Sequence, residues 1–308
     1  MLFEKNPNIT LSTFQTKIPP INHDPLTIRP SSMTLLHALL LGIIQGLTEF
    51  IPVSSTAHLL IGQRLLGVPA DDATFSFLVI VQLGTLVSLF AFYWKDLLAI
   101  VNSTFQVTRS MFTTPRETWN LKPETLLGWY IILATIPALL AGYLLKDAVQ
   151  SLFKQPMVQA SIRLFATAIL LTLAELLDKK NRTLKSMTWL DAFIVGVFQI
   201  IAVIPGASRS GTTISGGMFR GFDRPSAARF AFLMSAPILL AAGVYEIMDV
   251  IQAPGTLRFL PYLAVGFVTA AVVGWFAIKW LIDYLSKRSL YVFAIYCAIV
   301  GAIVFLMK

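Results

Sequence analysis

The chain of 308 residues is 56% hydrophobic, and only 13% of its residues are charged. Soluble domains carry about 25% charged residues. With a mean hydropathy of +0.72, this chain has too much apolar surface for one water-soluble core. The composition therefore excludes an ordinary soluble protein and predicts a polytopic membrane protein. The net charge of +8 would suit nucleic acid, but loops of membrane proteins carry lysine and arginine to set orientation, so no nucleic-acid partner is expected.

Residues 1–32 are polar and rich in proline. They lack the apolar core of a secretory signal peptide, so we expect a flexible N-terminal tail. A single membrane domain, 33–308, is expected to follow, because no long polar linker divides it. The single cysteine, Cys297, excludes an internal disulfide bond.

Eight apolar segments follow the tail, and six of them approach the roughly 20 residues that cross a bilayer as a helix. The first and the fifth differ, because each stops at a proline, Pro52 or Pro205, and continues through serines and threonines into a second short helix. We therefore predict an all-α protein with six transmembrane helices and two re-entrant helix–loop–helix hairpins. The eight segments are 33–51, 75–94, 126–145, 157–177, 189–204, 226–249, 259–282 and 290–307.

The two predicted hairpins look like copies of each other. Gly42-x-x-Gln45 precedes the first break, and Gly196-x-x-Gln199 precedes the second. Three full spans separate the hairpins, so they would enter from opposite faces and their tips would meet near the midplane, as in an inverted-topology repeat. The repeat would consist of two halves, at about 33–177 and 189–308.

The loops on one face of the predicted bundle carry more lysine and arginine than the loops on the other. The positive-inside rule places the richer face in the cytoplasm, so both termini and the mouth of the first hairpin are predicted to face outward. The loops of the richer face are 95–125, 178–188, 220–225 and 283–289.

Ionisable side chains inside a bilayer are costly, and the default interpretation is functional. Glu49 comes just before the first break, His58 just after it, and Arg209 within the second break. If these three side chains only paired with one another, they would hold the two hairpins together. Both breaks, however, contain more serine and threonine than such pairing requires, which favours a functional site. The remaining charged residues in or near spans are expected to pair or to snorkel: Arg163, Glu175, Glu246 and Lys279.

The second break combines a guanidinium group, several hydroxyl groups and free amides at a helix N-terminus. Such a combination is an anion site, and phosphate suits it best. It is not a P-loop, because no Gly-Lys-Ser/Thr sequence follows, and the chain has no metal-binding cluster of histidine and cysteine. Opposite a break with glutamate and histidine, this site indicates phosphoryl chemistry.

Two long motifs flank the breaks, Gln45-Gly-Leu-Thr-Glu49-Phe-Ile-Pro-Val-Ser-Ser-Thr-Ala-His58 and Pro205-Gly-Ala-Ser-Arg-Ser-Gly-Thr-Thr213. They resemble the two signatures of the undecaprenyl-diphosphate phosphatase family, also known as the bacitracin resistance protein family. The resemblance extends from about Met33 to the C-terminus and includes Ser215-Gly-Gly-Met218 and Phe293-Ala-Ile-Tyr296.

The resemblance implies a hydrolase of the bacterial plasma (inner) membrane, with re-entrant helices in an inverted repeat. Such a hydrolase removes the terminal phosphate of undecaprenyl diphosphate, recycles the carrier lipid for cell-wall peptidoglycan synthesis and confers bacitracin resistance. The resemblance also implies a site that opens to the outer, periplasmic face and a divalent cation, Mg²⁺ or Ca²⁺. Polyprenyl diphosphate and membrane lipids are the expected partners, and a homodimer is left open.

On this resemblance Arg209 would hold the diphosphate, and Glu49 with Gln45 would hold the cation. Gln45 is a neutral amide, so it can ligate a cation but cannot act as a base. The attacking group is either Ser55 activated by His58 or His58 itself, and the sequence leaves this choice open. The predicted catalytic residues are Glu49, Ser55, His58 and Arg209. The predicted substrate-binding residues are Gln45, Ser54, Thr56, Ser208, Ser210 and Thr213.

One alternative comes from a different functional class. Inverted re-entrant repeats also build transporters and channels, and fold analogy alone does not separate them from enzymes. On that interpretation the protein is a lipid-phosphate or anion transporter, Arg209 binds the anion in transit, and His58 relays protons.

Overall fold

A computed structural model describes residues 33–113, 123–144, 156–177, 181–203, 207–252 and 256–307. The predicted tail, 1–32, lies outside them. These described residues form ten α-helices and no sheet. The helices are α1 (Leu35–Thr48), α2 (Ser55–Leu66), α3 (Asp72–Thr113), α4 (Pro123–Leu144), α5 (Pro156–Leu176), α6 (Trp189–Val203), α7 (Arg209–Phe219), α8 (Arg224–Gln252), α9 (Thr256–Lys287) and α10 (Tyr291–Leu306).

Within the described residues, four helices are long and apolar enough to cross a membrane, and they lie in α3, α4, α5 and α9. The prediction of an all-α polytopic membrane protein agrees with this, but six full spans are not confirmed. α8 carries Arg224 and Arg229 in its first two turns and is not among the four. α10 has only 16 residues, which is short for a span.

The helix that precedes each break packs against a helix from the other half of the chain. α1 packs along α9, and α6 packs along α4. A Cβ atom added at Gly42 would lie 2.8 Å from the carbonyl oxygen of Gly266, and one at Gly196 would lie 2.4 Å from that of Ala134. Both glycines therefore permit a backbone approach that any larger residue would block.

The two helix–break–helix units, α1–α2 and α6–α7, have the same internal packing. We call them the first and the second hairpin. A Cβ atom at Gly62 would lie 2.9 Å from the Ile44 side chain, and one at Gly216 would lie 2.9 Å from that of Phe198. In each hairpin a glycine on the returning helix thus lets it lie against the entering helix.

A buried carboxylate anchors the start of α6, at the end of the second hairpin that lies away from its break. Asp191 is fully buried and accepts hydrogen bonds from Arg182 at 2.6 Å and Arg220 at 2.7 Å. Thr188 and Asp191 also form a reciprocal cap at the start of α6. The hydrogen bond to Asp191 raises the pKa of the Arg182 guanidinium.

We call this end of the molecule, where the 181–188 segment meets the start of α8, the basic end.

Of the four charged residues expected to pair or to snorkel, Glu175 forms an ion pair. Glu175 forms a salt bridge with Arg224 and accepts the backbone N–H of Leu290, and the Lys279 ammonium lies 5.4 Å from the Trp275 ring centre. Arg163 is buried within α5. The side chain of Glu246 lies outside the described residues.

Candidate active site

The first break places a carboxylate at the end of α1. Glu49 follows the last helical residue and is 6% exposed. Its Oε2 accepts a hydrogen bond from Gln45 Nε2 at 2.9 Å and another from Ser55 Oγ at 2.7 Å. Gln45 lies one helical turn before Glu49, so the shared helix face predicted from the sequence is what brings the amide to the carboxylate.

The backbone at the turn into α2 is strained. Ser54 has a φ of 71°, the only positive value at a non-glycine residue in the part of the chain that the structure describes. Its side chain makes no capping hydrogen bond to α2, although serine at this position favours one. Such backbone conformations persist where the surrounding structure enforces them, and they are common at functional sites.

His58 is held from both sides of its ring. Nδ1 lies 2.9 Å from the Ser54 carbonyl oxygen, and Nε2 lies 2.8 Å from the Tyr296 hydroxyl. A carbonyl only accepts, so Nδ1 carries the proton and the neutral ring accepts the tyrosine O–H at Nε2. The two rings also stack, with centres 5.6 Å apart. The orientation of the His58 ring is therefore largely fixed.

The second break ends at a conventionally capped helix. The Ser208 side chain accepts the N–H of Gly211 at 3.2 Å, and the Ser208 N–H donates to Thr167 Oγ1 at 2.9 Å. Ser210 Oγ lies 3.0 Å from Ser208 Oγ and 3.4 Å from the Ile51 carbonyl oxygen in the first break. These bonds fix the start of α7 next to the first break.

A direct ion pair joins the two breaks. Arg209 Nη2 lies 2.5 Å from Glu49 Oε1, and the two side chains are 19% and 5% exposed. Two buried polar atoms beside this pair have no hydrogen-bond partner among the described residues, Arg209 Nη1 and Gln45 Oε1. Unsatisfied buried donors and acceptors cost about 1–3 kcal/mol each, so their presence at one place indicates a ligand that completes them.

The remaining predicted residues fall into different positions. Ser55 bonds to Glu49 and His58 to Tyr296, so the described hydrogen bonds do not include the predicted Ser55–His58 contact. Thr56 lies on the exposed side of α2. Thr213 is buried, and its hydroxyl donates to the Arg209 carbonyl within its own helix.

Two residues that bond to the site were not predicted as site residues. Tyr296 and Thr167 come from α10 and α5, far along the chain from the residues they contact. Tyr296 belongs to the Phe293-Ala-Ile-Tyr296 stretch of the family resemblance, which is a usable signal, but its contact with His58 depends on how α10 packs. Nothing in the local sequence distinguishes Thr167 from other threonines of apolar helices.

The donor set near Glu49 suits a hard divalent cation. No group of three histidine, cysteine, aspartate or glutamate residues comes together among the described residues. Glu49 and Gln45 Oε1 present oxygen atoms, and so small a set would fit Mg²⁺, which binds one or two carboxylates and takes its other ligands from water and substrate phosphates.

The fold and the site together define a polytopic α-helical membrane protein with a buried, incompletely satisfied ion pair where two helix breaks meet. The chain belongs to the bacitracin resistance protein BacA family, whose sequence model matches residues 38–303. The family resemblance inferred from the two motifs is thus confirmed.

Curated relatives match over nearly their whole length. The chain is 41% identical over 276 residues to an undecaprenyl-diphosphatase of Alkaliphilus metalliredigens, which covers 90% of this chain and 99% of the relative. It is 38% identical over 280 residues to one of Methanobrevibacter smithii (89% and 98%). It is 39% identical over 286 residues to one of Chlorobium phaeovibrioides (89% and 97%).

Proposed function

We infer that this protein is an undecaprenyl-diphosphatase, a membrane hydrolase that converts undecaprenyl diphosphate to undecaprenyl phosphate and inorganic phosphate. The family and the relatives support this activity, and the family name implies bacitracin resistance. The Glu49–Arg209 contact carries the assignment to a site, because it joins the two family motifs and lies beside a buried donor and a buried acceptor that have no partner in the part of the chain that the structure describes.

The proposed topology has six spans and two re-entrant hairpins in an inverted repeat. Its support is the reciprocal packing of α1 on α9 and of α6 on α4, with a glycine at each closest approach. We place the protein in the bacterial inner membrane with the basic end in the cytoplasm and the site open to the outer face, following the positive-inside rule. A homodimer stays a prediction.

Arg209 is proposed to hold the diphosphate. Its Nη2 bonds to Glu49, while the buried Nη1 has no hydrogen-bond partner among the described residues. A guanidinium group binds phosphate oxygens through two parallel N–H groups and stabilises the charge that develops during phosphoryl transfer. The Ser208 and Ser210 hydroxyls next to it would add hydrogen bonds.

Ser55 is the proposed nucleophile, and Glu49 its base. The 2.7 Å hydrogen bond from Ser55 Oγ to Glu49 Oε2 gives the carboxylate direct access to the hydroxyl proton. Ser55 Oγ would form a bond to the terminal phosphorus while the bond to the bridging oxygen breaks and undecaprenyl phosphate leaves. Water would then hydrolyse the phosphoserine and release inorganic phosphate.

His58 is proposed as a positioning residue. Its Nδ1–H fixes the Ser54 carbonyl, which precedes the nucleophile, and its Nε2 is engaged by Tyr296. The strained backbone at Ser54 is therefore held in place by the histidine. This geometry favours Ser55 over His58 as the attacking group, since the lone pair of His58 Nε2 is occupied by the hydrogen bond from the Tyr296 hydroxyl.

A divalent cation, Mg²⁺ or Ca²⁺, is proposed as cofactor, with Glu49 and Gln45 as its protein ligands. When bound, it would neutralise part of the diphosphate charge. The single carboxylate and single amide favour Mg²⁺ over Ca²⁺, which usually takes more protein oxygens.

Phosphate release from undecaprenyl diphosphate by the purified protein in detergent tests the proposal. We expect Mg²⁺-dependent release, and a loss of about a thousandfold in Glu49→Ala. The control is Asp283→Ala, which removes an exposed carboxylate paired with Lys287 and should leave the rate unchanged. Normal release by Glu49→Ala would contradict the proposed site.

Trapping the phosphoenzyme tests the nucleophile. Rapid quenching with radiolabelled substrate should yield an acid-stable, alkali-labile adduct on Ser55, which Ser55→Ala abolishes. An acid-labile adduct that persists in Ser55→Ala would identify His58 instead.

A further inference from the structure

A large cavity lies at the basic end, away from the residues assigned to phosphoryl transfer. Its volume is about 870 Å³, which is in the range of ligand sites. It is lined by α3 around Tyr93, by the 183–185 segment, by the start of α8 and by α9. α3 departs from helical geometry at Tyr93, with φ −102° and ψ 18°, so the cavity lies next to a kink in this helix.

The chain path separates this cavity from the mouth of the first hairpin. Arg64 at the end of α2 bonds to the Met307 carbonyl at the end of α10. The cavity residue Ile282 lies near the end of α9, which a short connection joins to the start of α10. The 16 residues of α10 span about 24 Å, so the cavity and the hairpin mouth lie at opposite ends of the molecule.

The cavity carries excess positive charge from three separate segments. Lys95, Lys185 and Arg229 line it with one carboxylate, Asp96, which pairs with Arg229 at 2.8 Å. Neither lysine pairs with a carboxylate in the part of the chain that the structure describes. Two lysines without a paired carboxylate among the described residues therefore line one concave site, and the Lys95 ammonium lies 5.9 Å from the Trp94 ring centre.

Hydroxyl groups and aromatic rings complete the lining. The Thr183, Ser226 and Tyr93 hydroxyls lie in the cavity wall without a hydrogen-bond partner among the described residues. Trp94 and Trp275 form apolar walls beside them. Tryptophan with lysine is typical of the boundary between membrane and water. Orientation in the membrane requires only the charge, and does not require a concave site with free hydroxyl donors.

We propose that this cavity is a second lipid site, which binds the phosphate head group of a membrane lipid at the end of the molecule opposite the mouth of the first hairpin. Lysine, arginine and hydroxyl donors match phosphate oxygens, and the tryptophan walls match the glycerol and upper acyl region of an amphiphile. The site is separate from Glu49 and Arg209 and does not depend on their proposed role.

Tryptophan fluorescence of the purified full chain tests the site with a probe, dihexanoyl phosphatidic acid, below its micelle concentration. We expect a saturable change in emission that disappears in Trp94→Phe/Trp275→Phe. Lys95→Gln/Lys185→Gln should weaken binding by about tenfold, as expected for two exposed charge contacts. Lys287→Gln is the matched control at the same end, since it also removes an exposed lysine, one that pairs with Asp283, and should bind normally.

Two further probes separate the sources of phosphate. Dihexanoyl phosphatidylcholine and inorganic phosphate should each bind at least about tenfold more weakly than phosphatidic acid. Equal binding by inorganic phosphate would overturn the proposal in favour of an ion site, and equal binding by the lysine variant or a signal that survives without both tryptophans would overturn it outright. The lysine variant should release phosphate from undecaprenyl diphosphate at the normal rate, and a loss would contradict a separate site.

Discussion

The two hairpins use the same scaffold for different purposes. Each begins with a threonine cap, Thr34 or Thr188, and each places a serine at the N-terminal boundary of its second helix, Ser54 or Ser208. The packing glycines also occupy equivalent positions. The scaffold is therefore shared, and the differences between the hairpins lie in a few side chains at the cap and at the break.

Those differences separate chemistry from anchoring. The first hairpin carries the proposed nucleophile and its proposed base next to a strained, uncapped turn at Ser54, and the cap at the start of α1 uses the partly exposed His37. The second hairpin has a well-capped break at Ser208 and an outer cap built on the buried Asp191 with two arginines. The first hairpin thus has its strained residue next to the proposed reacting groups, and the second holds Arg209 at the start of a well-capped helix.

The largest expected effect comes from removing the guanidinium group of Arg209. Arg209→Ala should lower the rate of phosphate release by about a thousandfold, because it removes the charge that stabilises the transferred phosphoryl group. The matched control, Arg64→Ala, removes an exposed guanidinium at the outer end of the first hairpin and should leave the rate within about twofold. Full activity in Arg209→Ala would mean that the second hairpin only anchors.

The next largest effect is on stability, and it comes from the caps at the start of α1 and of α6. Asp191→Asn should lower the free energy of unfolding by about 2 kcal/mol, since two guanidinium groups lose a buried carboxylate while remaining partly solvated. His37→Asn at the equivalent position should change it by less than about 0.5 kcal/mol. Thermal unfolding in detergent, followed by circular dichroism, measures both. Equal losses would show that the two caps anchor alike.

The sequence predicts much of this comparison. Apolar periodicity locates the eight segments, proline locates both breaks, and the shared glycine–glutamine spacing reveals the duplication. It does not reveal Asp191 as an anchor, although Thr188-x-x-Asp191 is a capping-box pattern. The two arginines that complete this anchor come from loops whose packing depends on the whole fold.

A smaller effect is expected from the tyrosine that holds His58. Tyr296→Phe keeps the stacked ring but loses the hydrogen bond to Nε2, so kcat should fall by about fivefold, the equivalent of one ordinary hydrogen bond, with little change in KM. Tyr284→Phe also removes a tyrosine hydroxyl that is hydrogen-bonded, to the Ser289 carbonyl, and should leave kcat unchanged. A rise in KM alone would place Tyr296 in substrate binding.

The smallest expected effect compares the two boundary serines. Ser208→Ala should lower the free energy of unfolding by about 1 kcal/mol, because the bond to the Gly211 N–H is lost. Ser54→Ala should change it by less than about 0.5 kcal/mol, because that hydroxyl makes no capping bond. Thermal unfolding of both variants checks this, and a larger loss at Ser54 would assign its hydroxyl a structural role.

The division of roles within the first break is beyond sequence reasoning. Residues three apart on a helix can touch, which would allow His58 to activate Ser55, whereas Ser55 bonds to Glu49 and His58 to Tyr296. Both residues lie on α2, but each side chain bonds to a partner from outside that helix. The positive φ at Ser54, just before α2, is equally unforeseen. A serine, which ordinarily avoids this conformation, gives no sign of it in the sequence.

The packing of α1 on α9 also constrains how the protein is made. The first hairpin is synthesised early, but the glycine seam that receives it belongs to a helix close to the C-terminus. Until that helix emerges from the ribosome, Glu49 and its neighbours have no complete enclosure. The first hairpin therefore lacks its packing partner until synthesis is nearly complete. For the same reason, truncation near the C-terminus would remove packing contacts from residues near the N-terminus.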